Sequence, residues 1–317
     1  MVLKTALPLF CCLSLALSGC FEKRKVLDIS EAENLLFLTD GRLIVTTGSG
    51  LFEITQQADG QYRKESVSDY QCVYQGVTQL QDFVFTVCNF ETELGNTLLW
   101  ADSREENLSF RPFLKLDGML QPNGLATNGK DTIYIANSPY ILQGSIGRLR
   151  LDPEQLQKQD FLNADILESI VEFEPKWRHA HHGVYNSNGL RFLNDQLYFT
   201  DLGTLKKIGL TDEDKATRLF SRLTILDDIL PYCGGILVTD FFAGQVLFLS
   251  EEGDVLHYSP LGKFPGASSL MVGVGSGFTQ KQLLVTERGL LLKPNSKIGN
   301  QLSVVELENE AVLNECI

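Results

Sequence analysis

The chain has 317 residues, and 40 acidic against 27 basic side chains give it a formal net charge of −13. Such an anionic surface disfavours contact with phosphate backbones, so nucleic acid is set aside as a partner, while an acidic cluster able to hold a cation is compatible with it. The length suits one large domain with a sizeable core.

The first element is a targeting signal over residues 1–19. Lys4 supplies one positive charge, an apolar run extends from Ala6 to Leu17, and Leu17-Ser18-Gly19-Cys20 follows. That order is a lipobox: small residues fit the peptidase, the Cys20 thiol takes the lipid, and the apolar run is too short to span a bilayer stably. Cys20 is therefore the expected lipidated N-terminus of an exported chain. An ordinary secretory signal or a short anchor with an incidental cysteine is the alternative. Phe21, not Asp, follows Cys20, which by sorting convention points to the periplasmic side of an outer membrane in a cell with two membranes. Residues 20–30, with the charged stretch Glu22 to Arg24, are expected to be a linker, and residues 31–317 the folded domain.

The domain repeats itself. Leu35, Val77, Leu125, Leu190, Ile229 and Leu270 each open an apolar strand, a polar turn and a second alternating strand. These openings are 42, 48, 65, 39 and 41 residues apart, a period of roughly 40 residues with one insertion, as expected when each repeat builds a four-stranded blade. The predicted fold is all-β, a six-bladed β-propeller, with a β-sandwich as the alternative. The long interval, Asp152 to Phe173, is punctuated like a helix: Asp152 suits the cap, Pro153 the first turn and Glu154 the positive end. A short helical insertion between the third and fourth repeats, covering one face as a lid or decorating the surface, is expected there.

After Cys11 and Cys12 leave with the signal and Cys20 is lipidated, Cys72, Cys88, Cys233 and Cys316 remain for an oxidising compartment, with three possible pairings. Cys72 and Cys88 flank a predicted hairpin and are expected to face each other across it. No Gly-rich phosphate loop or serine-nucleophile elbow is found, because the GVGSG string near Gly275 lies between strands without a following helix.

Polar residues stand just ahead of the apolar strands: Glu33, Asn123, Asn188, and Asp227 with Asp228. Six blades would aim them at one axis, and hard oxygen donors at such a focus suit Ca²⁺, which takes about six to eight oxygens. Turn chemistry alone also favours Asn and Asp before strands. His179, His181 and His182 precede Asn188 by a few residues, and His182 or His181 is a candidate general base or substrate contact. Arg288, beside Glu287, is a candidate for binding an anionic substrate or for a surface ion pair.

The strings PNGLATNGKDTIYIAN, NGLRFLNDQLYFTD, the Asp pair before GGILVTD, and GASSLMVGVGSG with LLVTERG run in the same order as in the calcium-dependent propellers of gluconolactonase and senescence marker protein, paraoxonase, and strictosidine synthase. The chain resembles that superfamily over nearly its whole length. The resemblance implies a catalytic Ca²⁺ held at the channel mouth by Glu33, Asn123, Asn188 and Asp227 or Asp228. It also implies hydrolysis of a lactone or ester, the ion polarising the carbonyl while water attacks with help from Asp227, Asp228 or a histidine. Asn34 and Gly124 replace the acidic ligands of a second, structural calcium in paraoxonases, and no histidine stands near Cys88-Asn89-Phe90, where the paraoxonase catalytic histidine is expected. The alternative is a propeller that binds a ligand without turnover, or a scaffold of the cell envelope.

Overall fold

A computed structural model describes residues 21–91, 94–139, 144–151, 172–173, 184–210, 214–290, 293, 296–310 and 313. It contains six four-stranded antiparallel sheets arranged as blades. Strand β1 (Lys23–Asp28) comes first. Blade one is β2 (Ala32–Phe37), β3 (Leu43–Thr47), β4 (Leu51–Gln56) and β5 (Tyr62–Ser66); blade two is β6 (Val73–Leu80), β7 (Phe83–Glu91), β8 (Gly95–Asp102) and β9 (Arg111–Lys115). Blade three is β10 (Pro122–Thr127), β11 (Thr132–Asn137), β12 (Ser145–Arg150) and β13 (Glu172–Phe173); blade four is β14 (Ser187–Leu193), β15 (Gln196–Asp201), β16 (Thr204–Ile208) and β17 (Thr217–Ser221). Blade five is β18 (Leu226–Tyr232), β19 (Gly235–Asp240), β20 (Gln245–Ser250) and β21 (Val255–Tyr258). Blade six is β22 (Ala267–Val272), β23 (Gln282–Glu287), β24 (Gln301–Glu306) and, on its outer side, β1.

The predicted six-bladed propeller is therefore the observed fold. Each sheet is covered on both faces, so its middle strands are buried without alternation, as in Leu43–Thr47 and Gly235–Asp240. The core is divided accordingly into six apolar clusters, one at each junction between neighbouring blades. The junction of blades two and three shows the scale, packing Phe83, Phe85, Trp100 and Phe113 against Ile133, Ile135 and Leu149.

Two expectations need correction. Residues 20–30 are not simply a linker: β1 pairs antiparallel with β24 from Lys23↔Val305 to Asp28↔Gln301. Five of its six residues pair with residues at the other end of the chain, so the first strand closes the ring by completing the last blade. The sequence Lys-Arg-Lys-Val-Leu-Asp, without alternation of apolar and polar residues, reads as a charged spacer because an outer strand buries little. The long interval after Asp152 falls inside the third blade, because Glu172–Phe173 returns to pair with Leu149 and Arg150 as its outer strand. The rest of that interval, with its expected helix, lies outside the described residues, whose one 3₁₀ turn is Leu307–Asn309.

Cys72 and Cys88 are joined as expected, with Cα atoms 5.1 Å apart. The bridge ties Cys72, the residue just ahead of β6, to Cys88 on β7, beside the Tyr74↔Cys88 pair. Cys233 is also held in a disulfide, while Cys316 lies outside the described residues. Replacing Cys72 and Cys88 by Ala is expected to lower the free energy of unfolding by about 2–4 kcal/mol, the usual contribution of a bridge closing a short loop. Urea denaturation of the oxidised parent and the double variant checks this; superimposable curves would contradict it.

Candidate functional site

Every innermost strand breaks register with its partner within its first few residues. The shifts fall between Ala32 and Leu35, Tyr74 and Val77, Pro122 and Leu125, Ser187 and Leu190, Leu226 and Ile229, and Ala267 and Ser269. Such a bulge puts two residues opposite one and re-aims their side chains. The bulged pairs are Glu33-Asn34, Gln75-Gly76, Asn123-Gly124, Asn188-Gly189, Asp227-Asp228 and Ser268-Ser269. They stand at one end of the channel.

The backbones of these pairs approach too closely for side chains at three places. A Cβ on Gly124 would lie 2.1 Å from the Asn188 carbonyl oxygen, one on Gly189 2.4 Å from that of Asp227, and one on Gly76 2.6 Å from that of Asn123. Glycine is required there for space. Threonines opposite the bulges fix the rest. Thr46, Thr200, Thr239 and Thr286 each accept the backbone N–H of the second bulge residue of their own blade, at 2.7–2.9 Å. Thr200, Thr239 and Thr286 also donate to the carbonyls of Asp227, Ser268 and Glu33 in the next blade, at 2.7, 3.2 and 3.2 Å.

The first residues of neighbouring pairs meet, and so do the second ones. Ser268 donates to Asp227 Oδ2 at 3.1 Å and to Glu33 Oε2 at 3.4 Å. Ser269 donates to Asp228 Oδ2 and contacts Asn34 Oδ1 at 3.5 Å. Asp227 and Asp228 thus belong to two layers, with Asp227 beside Glu33. Two guanidinium groups enter the cluster: Arg288 Nη1 lies 2.5 Å from Glu33 Oε2, and Arg191 Nη2 lies 2.9 Å from Asp228 Oδ2. Arg288 is therefore neither a surface ion pair nor an uncommitted anchor for substrate, because the loop after β23 folds its side chain back onto the ring.

Burial pushes the Glu33 carboxyl above its ordinary range although Arg288 and Ser268 pull it down. Asp227 is raised well above its ordinary value by burial first, then by the charges of Glu33 and Asp228. The cluster is short of positive charge and has oxygens to spare. Buried Gln75 Oε1 and Asp228 Oδ1 have no hydrogen-bond partner. Glu33 Oε1, Asp227 Oδ1 and the Asn123 and Asn188 side chains accept no hydrogen bond from the described residues. This donor set, carboxylate and amide oxygens from five blades, fits a hard cation. Among the described residues, three or more His, Cys, Asp or Glu side chains are nowhere gathered as a metal site, so any such ion depends on the amides.

Glu33, Asn123, Asn188, Asp227 and Asp228 are thus brought to one end of the channel, as their placement in the repeats implied. Gln75, Ser268, Ser269 and Arg191 were not picked out from the sequence. Gln75-Gly76 repeats the polar-Gly pattern of Asn123-Gly124 and Asn188-Gly189 and was legible; the serines and Arg191 carry no such signal. His179, His181 and His182 lie outside the described residues.

Neither a protein-family model nor a curated protein matches this sequence. Solved structures do. The calcium-binding protein regucalcin from Agrobacterium tumefaciens is similar with a TM-score of 0.59 at 13% identity, over 90% of this chain and 93% of that one. A gluconolactonase from Xanthomonas campestris matches with a TM-score of 0.60 at 14% identity, over 90% and 89%. The aldose sugar dehydrogenase of Streptomyces coelicolor, solved with bound PQQ, matches with a TM-score of 0.57 at 12% identity, over 90% and 99%. At such identities the likeness establishes the propeller fold, which these proteins use for different tasks.

The sign of the Asp227 shift gives a test. Folding favours its protonated form, so its ionisation costs stability as pH rises above the ordinary value of 3.8, until the folded group itself ionises. In the presence of chelator, Asp227→Asn is expected to melt above the parent at pH 7, the difference vanishing as pH falls towards 3.8. A variant that melts lower at pH 7 would show that Asp227 is stabilised where it stands.

Proposed function

We propose that this protein is an exported, lipid-anchored, calcium-dependent hydrolase of a lactone or ester. The observation that carries the catalytic part is the set of spare oxygens on Glu33, Gln75, Asn123, Asn188, Asp227 and Asp228 around a charge-deficient cluster at one mouth of the channel. Similarity in fold to a gluconolactonase and to a calcium-binding regucalcin agrees with it.

Glu33, Asn123, Asn188 and Asp227 would hold Ca²⁺, while Asp228 belongs to the neighbouring layer with Ser269 and Asn34. When bound, Ca²⁺ polarises the substrate carbonyl. The chain does the rest. Asp228 offers one oxygen while Arg191 and Ser269 hold the other, the arrangement of an oriented base, and it takes the proton of the attacking water. Asp227 and Glu33 keep the mouth anionic. Leu120, Tyr185, Leu223, Phe242 and Leu290 are exposed on loops at this end of the propeller, and they suit the apolar part of an ester or lactone carrying a hydrocarbon chain.

A second reading rests on the two arginines. With Arg288 on Glu33 and Arg191 on Asp228, two of the three carboxylates already have a cation, which suits a propeller that binds a ligand without turnover.

Calorimetric titration of chelated protein with Ca²⁺, followed by a panel of lactones and aryl esters, separates the readings. The hydrolase binds the ion and turns over a panel member; a binder takes up the ion and turns over none, and a scaffold shows no specific ion binding. Asp227→Ala is expected to weaken Ca²⁺ binding by at least about 100-fold, since it removes a charged ligand. Unchanged affinity would remove Asp227 from the ligand set. Arg288→Met, which frees Glu33, is expected to tighten Ca²⁺ binding, and weaker binding would mean that Arg288 positions the ring instead of competing for it.

A further inference from the structure

The strand that closes the ring also fixes where the chain comes from. The innermost strands run from the oxygen ring towards the far face, and β1 runs the other way on the outer side of blade six, from Lys23 opposite Val305 to Asp28 opposite Gln301. Gln301 in turn pairs with Glu287, at the ring end of β23. The start of β1 is therefore at the face opposite the ring. Phe21 is anchored there without slack. It is fully buried, its N–H donates to Glu310, and its ring stacks on His257 with centroids 5.2 Å apart. Cys20 is its immediate neighbour in the chain. A lipid on Cys20 has no linker, whereas six-residue strands separate the two faces by about 20 Å.

The surface around that point suits a bilayer edge. Val255, Leu256 and Tyr258 on β21, which flank the His257 that stacks on Phe21, are 47%, 49% and 56% exposed. Arg24 and Lys25 are exposed on β1 beside it. The turn at Glu251, Glu252 and Asp254 is acidic, so the contact is mainly apolar, and exposed apolar side chains at the interface add to the hold of an acyl anchor. On this same far face a cavity of about 440 Å³ lies where blades five, six and one meet, lined by Phe37, Leu230, Tyr232, Met271 and Val274.

We propose that the propeller stands on the membrane with the face opposite the oxygen ring towards the bilayer, the edge of blades five and six in contact with lipid, so that the ring opens away from the membrane. This rests on the lipidation of Cys20 and not on the chemistry of the ring. The apolar side chains exposed at the ring end, such as Phe242 and Leu290, are then left for substrate and not for lipid.

The test uses the full chain purified from cell envelopes and reconstituted in vesicles of brominated phosphatidylethanolamine and phosphatidylglycerol. Bimane is placed on Leu256→Cys or Val255→Cys at the tethered face, and on Phe242→Cys or Leu290→Cys at the ring. Quenching several-fold stronger at 255 and 256 than at 242 and 290 is expected. Equal quenching, or stronger quenching at the ring, overturns the orientation. Intact mass supplies the other arm: a chain without a diacylglyceryl group on Cys20 overturns the proposal at its premise and leaves the calcium titration of the ring unaffected.

Discussion

The molecule depends on one irregularity repeated six times, the bulge at the start of each innermost strand. A regular ladder would spend those backbone groups on pairing and point alternate side chains into the blade interfaces. The bulge releases two residues per blade and turns them to the axis. Threonine hydroxyls replace the lost contacts, each serving its own bulge, and three of them also the carbonyl of the next blade. The ring of polar residues and the joints between blades are thus the same structure, and three glycines let the backbones come close enough to share it.

Electrostatics follows from this packing. Three carboxylates held by rigid backbone cannot separate to relieve their repulsion, and burial denies them water. Two arginines answer part of the deficit: Arg191 comes from an innermost strand and Arg288 from the loop beyond β23. The oxygens left over are those that face no arginine. A buried amide oxygen without a partner, such as that of Gln75, costs free energy unless something else meets it, and five blades contribute to the same deficit.

Much of this was legible in the sequence, for a physical reason. Repeats that build one blade each put corresponding residues at corresponding places, so the spacing of Leu35, Val77, Leu125, Leu190, Ile229 and Leu270 carried both the fold and the convergence of Glu33, Asn123, Asn188 and the Asp pair. Closure did not announce itself, because β1 pairs with a strand more than 270 residues away and its outer position removes the apolar pattern that marks a strand. Nor did the division of Asp227 and Asp228 between two layers, which depends on how a bulge turns successive side chains. Serine and arginine at the site were silent because neither type is unusual at a strand end or in a loop.

The central claim is that oxygen atoms from separate blades share one cation on the propeller axis. A crystal structure determined with Ca²⁺ measures this directly. The account predicts an ion 2.3–2.6 Å from oxygens of Glu33, Asn123, Asn188 and Asp227, with Arg288 withdrawn from at least one Glu33 oxygen. Crystals grown at saturating Ca²⁺ with Arg288 still seated on Glu33 and the amide oxygens bound to water alone would contradict it.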